Sequence, residues 1–272
     1  MQAAPLRPAL LDTLTELPRA GLEAAQLLWP ASLRGRELPR GDGHPVLVLP
    51  AYGLGDLGLW PLRRFLDGLG YAAHAAELGV NLDRGELRIR RIEDAARFRR
   101  VQSERVAERA RAIHARSGRR PSLVGWSMGG LFAFDAARLA PEAVRSVVTL
   151  GSPFGDPRGT SLWEVMRRIN GSAVPAEEQD FSAWLAPISC NAPGRRPPVT
   201  ILYSRRDGIV GEAAARFAAQ GDPGAAPHGE TEEGAALEGV RYEHVESSHL
   251  GFPVNAAVYR ALARALGEME GD

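Results

Sequence analysis

The 272-residue sequence predicts an α/β fold, a mostly parallel central sheet with helices on both faces. Three observations point there. Short, continuous apolar runs recur, as strands covered on both faces require. Helical patterns separate these runs, which argues for βαβ connections and a parallel sheet. Gly and Pro punctuate the joints between them. A 44% apolar fraction is enough for a sizeable core and excludes wholesale disorder.

Residues 1–43 read as an N-terminal helical appendage and linker. Leu10, Leu11, Leu14 and Leu17, then Leu22, Ala25 and Leu28, recur at helical spacing with Pro18 as a break. Residues 34–43 are polar and Gly/Pro-rich, as a linker would be. The expectation is a helix packed on the main domain; contact with a membrane surface is the alternative.

The main domain is expected over residues 44–272. Its first strand is the apolar run 45–49, followed by a helix over 60–68, a weaker strand over 70–76 and a long helix over 93–117 that Gly118 ends. Residues 122–124 form a buried strand leading into Gly125. The stretch 128–140 is nearly all apolar, so a central, covered helix is expected. Strands follow over 144–150, 199–203 and 240–245, and Val254, Val258, Leu262 and Leu266 form one stripe on a last helix. Two segments break the alternation: 152–198, with Trp163, Phe181 and Trp184 among Gly and Pro, and 221–239, which reads as a surface loop.

The charges exclude several classes. The 33 basic residues are all Arg and balance 33 acids, so no global field draws the chain to nucleic acid or membrane. Residues 84–120 carry 13 Arg against 5 acids, read as a solvated helix face, with an anionic partner or lipid surface as the alternative. Aromatics do not alternate with these arginines, which argues against nucleic-acid binding. Cys190 is alone, so neither an intrachain disulfide nor a Cys metal site is expected. With no uncharged stretch of bilayer length and no signal-peptide pattern, the expected location is cytoplasmic.

Gly125-Trp126-Ser127-Met128-Gly129 fits G-x-S-x-G. Less than one such match is expected by chance, so the context decides. The pentapeptide follows an apolar strand and opens an apolar helix, the strand–turn–helix setting in which this motif holds a nucleophile. Side chains at Gly125 and Gly129 would collide with the neighbouring strand and helix. The helix N-terminus places N–H groups and positive dipole beside Ser127.

A serine hydroxyl needs a base, and the base an orienting acid. In the architecture of this motif the chain order is Ser, acid, His. His44, His74 and His114 precede Ser127, His228 lies in the 221–239 loop, and His244 sits within a strand pattern. His249 lies just past that strand, ahead of the last helix, and is the candidate base. Asp207 directly follows the 199–203 strand, with Gly208 permitting a tight turn; Arg205 and Arg206 beside it offer a surface charge cluster as the bland reading. An oxyanion hole needs two N–H donors. The backbone of Met128 is one candidate, and Tyr52, on the loop after the first strand, is the other.

On these stretches, together with Thr149-Leu150-Gly151-Ser152-Pro153-Phe154, residues 45–267 resemble the α/β-hydrolase superfamily, specifically its lipase/esterase-like bacterial members. The departure is at Pro50-Ala51, where many relatives carry His-Gly; a Cβ at 51 could restrict the backbone that presents the Tyr52 N–H. The resemblance implies a serine hydrolase cleaving carboxylic esters through an acyl-enzyme, with a small-molecule or lipid-like ester as substrate and no metal or organic cofactor. An acyltransferase using the same triad and a non-catalytic ligand-binding protein of this fold are the alternatives. The insertion at about 152–198 is expected to form a substrate cap, with Trp126, Trp163, Phe181 and Trp184 touching substrate.

Overall fold

Residue alternation in the strands builds two cores. β1 (Pro45–Leu49) is buried along its whole length; Leu47 and Leu49 enter one apolar cluster, and Val46 and Val48 the other. β3 (Ser122–Trp126), β4 (Ser146–Leu150) and β5 (Val199–Tyr203) repeat the division, with Leu123, Val147 and Ile201 on the first face and Val124, Val148 and Leu202 on the second. Successive side chains of a strand point to opposite faces, so a run without polar interruption requires cover on both. The computed structural model describes residues 7–27, 38–83, 87–89, 92–161, 163, 196–217 and 239–268.

With β2 (Ala72–Ala75) and β6 (Val240–His244), the strands form one sheet in the order β2-β1-β3-β4-β5-β6, every pair parallel. The chain steps from β1 outward to β2, then crosses back to place β3 on the other side of β1. That reversal puts a crevice at the carboxyl ends of β1 and β3, where open α/β sheets bind ligands.

Helices α4 (Ile92–Ser117) and α5 (Met128–Leu139) cover the first face through Phe98, Val106, Ala110, Ile113, Leu131 and Phe132. Helices α3 (Trp60–Gly68) and α7 (Ala256–Gly267) cover the second through Leu62, Leu66, Val258, Leu262 and Leu266. The sequence-expected helices and strands lie where the patterns put them, with ends shifted by a few residues. A single turn, α6 (Glu212–Ala215), packs against β5. Asn255 caps α7 by accepting from the Ala257 and Val258 N–H groups. Among the described residues no helix is long and apolar enough to cross a membrane.

Three expectations are revised. The N-terminal break falls at Thr15, between α1 (Leu10–Leu14) and α2 (Glu16–Leu27), and not at Pro18. Pro18 sits in the first turn of α2, where an N–H has no intrahelical acceptor and its absence costs nothing. These helices do pack on the domain, but by their polar side: Leu10, Leu11, Leu14, Leu17 and Leu22 are exposed, while Glu16 is buried. The Arg-rich α4 is also not wholly a solvated face. Arg99 is buried and forms a two-pronged ion pair with Asp135 of α5, at 2.5 and 2.8 Å. Within the 152–198 insertion, Pro157–Gly159 forms a 3-10 turn, and Trp163 packs half-buried against the first apolar cluster. Phe181 and Trp184 lie outside the described residues.

Candidate active site

Because the described strands all run parallel, the loops after β1, β3, β5 and β6 gather at one edge of the sheet. Ser127 occupies the joint between β3 and α5 with φ 53° and ψ −124°, a backbone conformation rare for a residue with a side chain. Such conformations cost about 1–3 kcal/mol and persist only where the surroundings enforce them. Here the Ser127 N–H donates to the Leu150 carbonyl (2.8 Å), and the Ser127 carbonyl accepts from the Gly130 N–H (3.0 Å).

The flanking glycines are required by space. A Cβ on Gly125 would lie 2.5 Å from the Gly130 Cα, and one on Gly129 would lie 2.6 Å from the carbonyl oxygens of Leu49 and Pro50. Side chains could not accommodate these approaches, so the tight turn and the packing of α5 on the end of β1 depend on glycine. Gly130, which the sequence reading did not single out, is equally confined, against Thr149 and Ser152 of the neighbouring strand end.

Asp207 and His249 meet. Both are almost fully buried, and Asp207 Oδ2 lies 2.7 Å from His249 Nδ1. The other carboxylate oxygen, Oδ1, accepts from the N–H groups of Ile209 (2.9 Å) and Val210 (2.6 Å). A carboxylate can only accept. The proton of the His249 ring therefore lies on Nδ1, which leaves Nε2 with a free lone pair, the form a general base needs. No hydrogen bond joins the Ser127 hydroxyl to that ring in this structure; in ligand-free sites such bonds often tighten only on substrate binding.

Trp126 links the nucleophile turn to the histidine loop. Its indole N–H donates to the His249 carbonyl (3.1 Å), and the two rings lie 6.0 Å apart. Trp126, expected against substrate, has its ring buried in the second apolar cluster, where it supports the histidine loop.

Met128 is the first residue of α5, so its N–H has no carbonyl acceptor within the helix. The loop carrying Tyr52 lies against this helix start, as the Gly129–Pro50 approach requires. Tyr52 turns its side chain away, edge-on to Phe98, and its hydroxyl donates to the Asp83 carboxylate. Asn81 clamps the same loop: its side chain donates to the Pro50 carbonyl (3.1 Å), its carbonyl accepts from Gly53 N–H (2.7 Å), and its N–H donates to Leu54 (2.9 Å). Nothing in the spacing of residues 50–54 marks an asparagine nearly thirty positions downstream, and the sequence reading missed it.

It also missed two carboxylates from α2. Glu16 accepts from the N–H groups of Gly208 (2.7 Å), His249 (3.0 Å) and Leu250 (3.0 Å). Glu23 accepts from the Ser248 N–H (2.8 Å) and the Ser247 hydroxyl (3.1 Å).

Residues 89–192 match the family model described as the alpha/beta hydrolase fold, a span that includes the Ser127 turn. Among curated protein sequences no relative is detected. Solved structures are similar at low identity. Bacillus licheniformis lipase BlEst2, in its mature form, is 16% identical with a TM-score of 0.54, over 86% of this chain and 96% of that one. TT1662 from Thermus thermophilus is 18% identical with a TM-score of 0.52, over 86% and 92%. The pyrethroid hydrolase PytH is 16% identical with a TM-score of 0.50, over 83% and 96%. With its parallel six-stranded sheet and the strained serine turn between β3 and α5, the chain is a protein of the α/β-hydrolase fold.

Proposed function

We propose that the chain is a serine hydrolase that cleaves carboxylic esters through an acyl-enzyme. The observation that carries this reading is the strained Ser127 at the β3–α5 turn, on the same sheet edge as the buried Asp207–His249 pair. A packing turn alone would not need a serine in that conformation on the sheet edge that carries an oriented imidazole.

Ser127 Oγ attacks the acyl carbon while His249 Nε2 takes the hydroxyl proton, and Asp207 holds the imidazolium that forms. The N–H groups of Met128 and Tyr52 receive the oxyanion. Collapse of the tetrahedral adduct expels the alcohol, which takes its proton from His249. Water, deprotonated by His249, then attacks the acyl-enzyme, and the carboxylic acid leaves with Ser127 restored. A lipase among the structural neighbours agrees with this at the level of the fold; the fold itself does not select an ester.

The test is a fluorophosphonate probe combined with nitrophenyl esters of increasing acyl length. Labelling and turnover are expected for the wild type and are expected to vanish in Ser127→Ala. Equal labelling of both proteins, or unchanged turnover in the variant, would overturn the assignment.

A further inference from the structure

The two loops that carry Asp207 and His249 are joined by a residue from outside the sheet. Glu16 is 4% exposed. Its Oε1 accepts from the N–H of Gly208, the residue after the acid, and from the N–H of His249 itself; its Oε2 accepts from the N–H of Leu250. One carboxylate thus bridges backbone from two loops that follow different strands. Its charge is partnered by Arg19 (3.1 Å), which also donates to the Arg206 carbonyl (2.6 Å) on the acid loop. Three N–H groups converging on a buried point call for an acceptor-only group, and hydrogen bonds to a charged acceptor are the strong ones.

The loops are fitted to the N-terminal helices α1 and α2. A Cβ on Gly208 would lie 2.6 Å from the Thr13 nitrogen, and one on Gly251 would run into the Glu23 carboxylate. Thr13 Oγ1 donates to the Gly208 carbonyl (2.6 Å). Glu16 and Glu23 are seven residues apart on α2, and so on one helix face, the face turned to the two loops, while Leu17 and Leu22 of the same helix are exposed.

We propose that Glu16 is a positioning residue: by fixing the acid and histidine loops in one register, it sets the Asp207–His249 geometry from the N-terminal segment. This rests on the triad reading above. A small misplacement of a catalytic group can cost roughly 100-fold in rate, whereas a residue that only stabilises the fold leaves the rate per folded molecule unchanged.

The experiment uses the full chain carrying Glu16→Ala, Glu16→Gln or, as a control on the exposed face of the same helix, Leu17→Ala. Thermal unfolding establishes the folded fraction at the assay temperature. For an ester the wild type hydrolyses, kcat per folded molecule is expected to fall roughly 10- to 100-fold in Glu16→Ala with KM little changed. Glu16→Gln, which keeps one acceptor oxygen, should fall in between, and Leu17→Ala should match the wild type. In parallel, the downfield proton resonance of His249 Nδ1–H, assigned by its loss in His249→Ala, is expected to shift or vanish in Glu16→Ala.

If the wild type neither turns over esters nor takes the fluorophosphonate, the hydrolase reading fails while the resonance still reads Glu16. If Glu16→Ala does not fold, Glu16→Gln and Glu23→Gln carry the same two measurements. A folded Glu16 variant with wild-type kcat and an unmoved resonance would overturn the proposal.

Discussion

Gly151, at the end of β4, has two independent reasons to be glycine. Its φ is +56°, and a Cβ there would lie 2.8 Å from the Phe252 ring and 2.9 Å from Asp207 Oδ2. The second contact matters chemically, because that oxygen is the one facing His249 Nδ1. Phe252 packs edge-on to the His249 ring (6.4 Å), so a methyl group would press on both partners of the pair at once. Gly151→Ala is therefore expected to cost about 1–2 kcal/mol of stability from the left-handed backbone alone. It should also lower kcat/KM by about 100-fold through displacement of the carboxylate. Urea unfolding and ester kinetics on the same preparation check both, and a variant with wild-type kcat/KM would show that the acid tolerates movement.

At the scale of elements, what the sequence displays is periodicity within a segment, and what it hides is which distant segment answers it. The apolar run of α5 was legible as a covered helix, and the stripe of α7 as a packed face. Asp135 in the middle of α5 was not interpretable, because its partner Arg99 lies 36 positions away among a dozen similar arginines. The leucines of α1 and α2 marked the segment as helical but misplaced the break and left the docking side open, since helical spacing separates two faces without saying which one docks. The buried pair between α4 and α5 has a measurable consequence. Asp135 is fully buried and Arg99 nearly so, and Ser103 completes the cluster. Asp135→Ala leaves a guanidinium without its counter-charge in the core and is expected to destabilise by about 3–5 kcal/mol. The double variant Arg99→Met/Asp135→Leu removes both charges and should recover most of that loss. Chemical denaturation of the single and double variants completes the cycle, and equal losses in both would mean that packing, not charge, is what the pair supplies.

For the molecule as a whole, parallel strands sort the chemistry by sheet edge: the carboxyl ends gather Ser127, Asp207 and His249, and the amino ends gather a second polar cluster. The first edge was readable from strand runs and the residues just after them, because a parallel sheet leaves few places for those residues to go. The opposite edge was not, since His44 has no motif around it. Its ring is buried, with Nε2 3.1 Å from Ser122 Oγ and Nδ1 3.1 Å from Arg145 Nη1; Ser122 in turn lies 2.8 Å from Ser146. Arginine can only donate, so Nδ1 accepts and Nε2 carries the proton. Adding a second proton would aim an N–H at a guanidinium. Burial, and then the charges of Arg145 and Arg119, lower the His44 pKa from the usual 6.5 to about 4, with Asp42 opposing weakly. The folded state thus resists a proton that the unfolded chain accepts. Between pH 6.5 and about 4 the unfolded chain binds more protons at this site, so stability falls as the pH falls. Above 6.5 the contribution is fully present, and below about 4 the loss is complete, amounting to about 3 kcal/mol. Urea unfolding at about pH 7, 6 and 5 compares the wild type with His44→Gln, whose amide can replace both hydrogen bonds without titrating. The wild type should lose stability more steeply across that window, by close to one proton's worth of slope, and parallel curves would show that His44 titrates alike in the folded and unfolded chains.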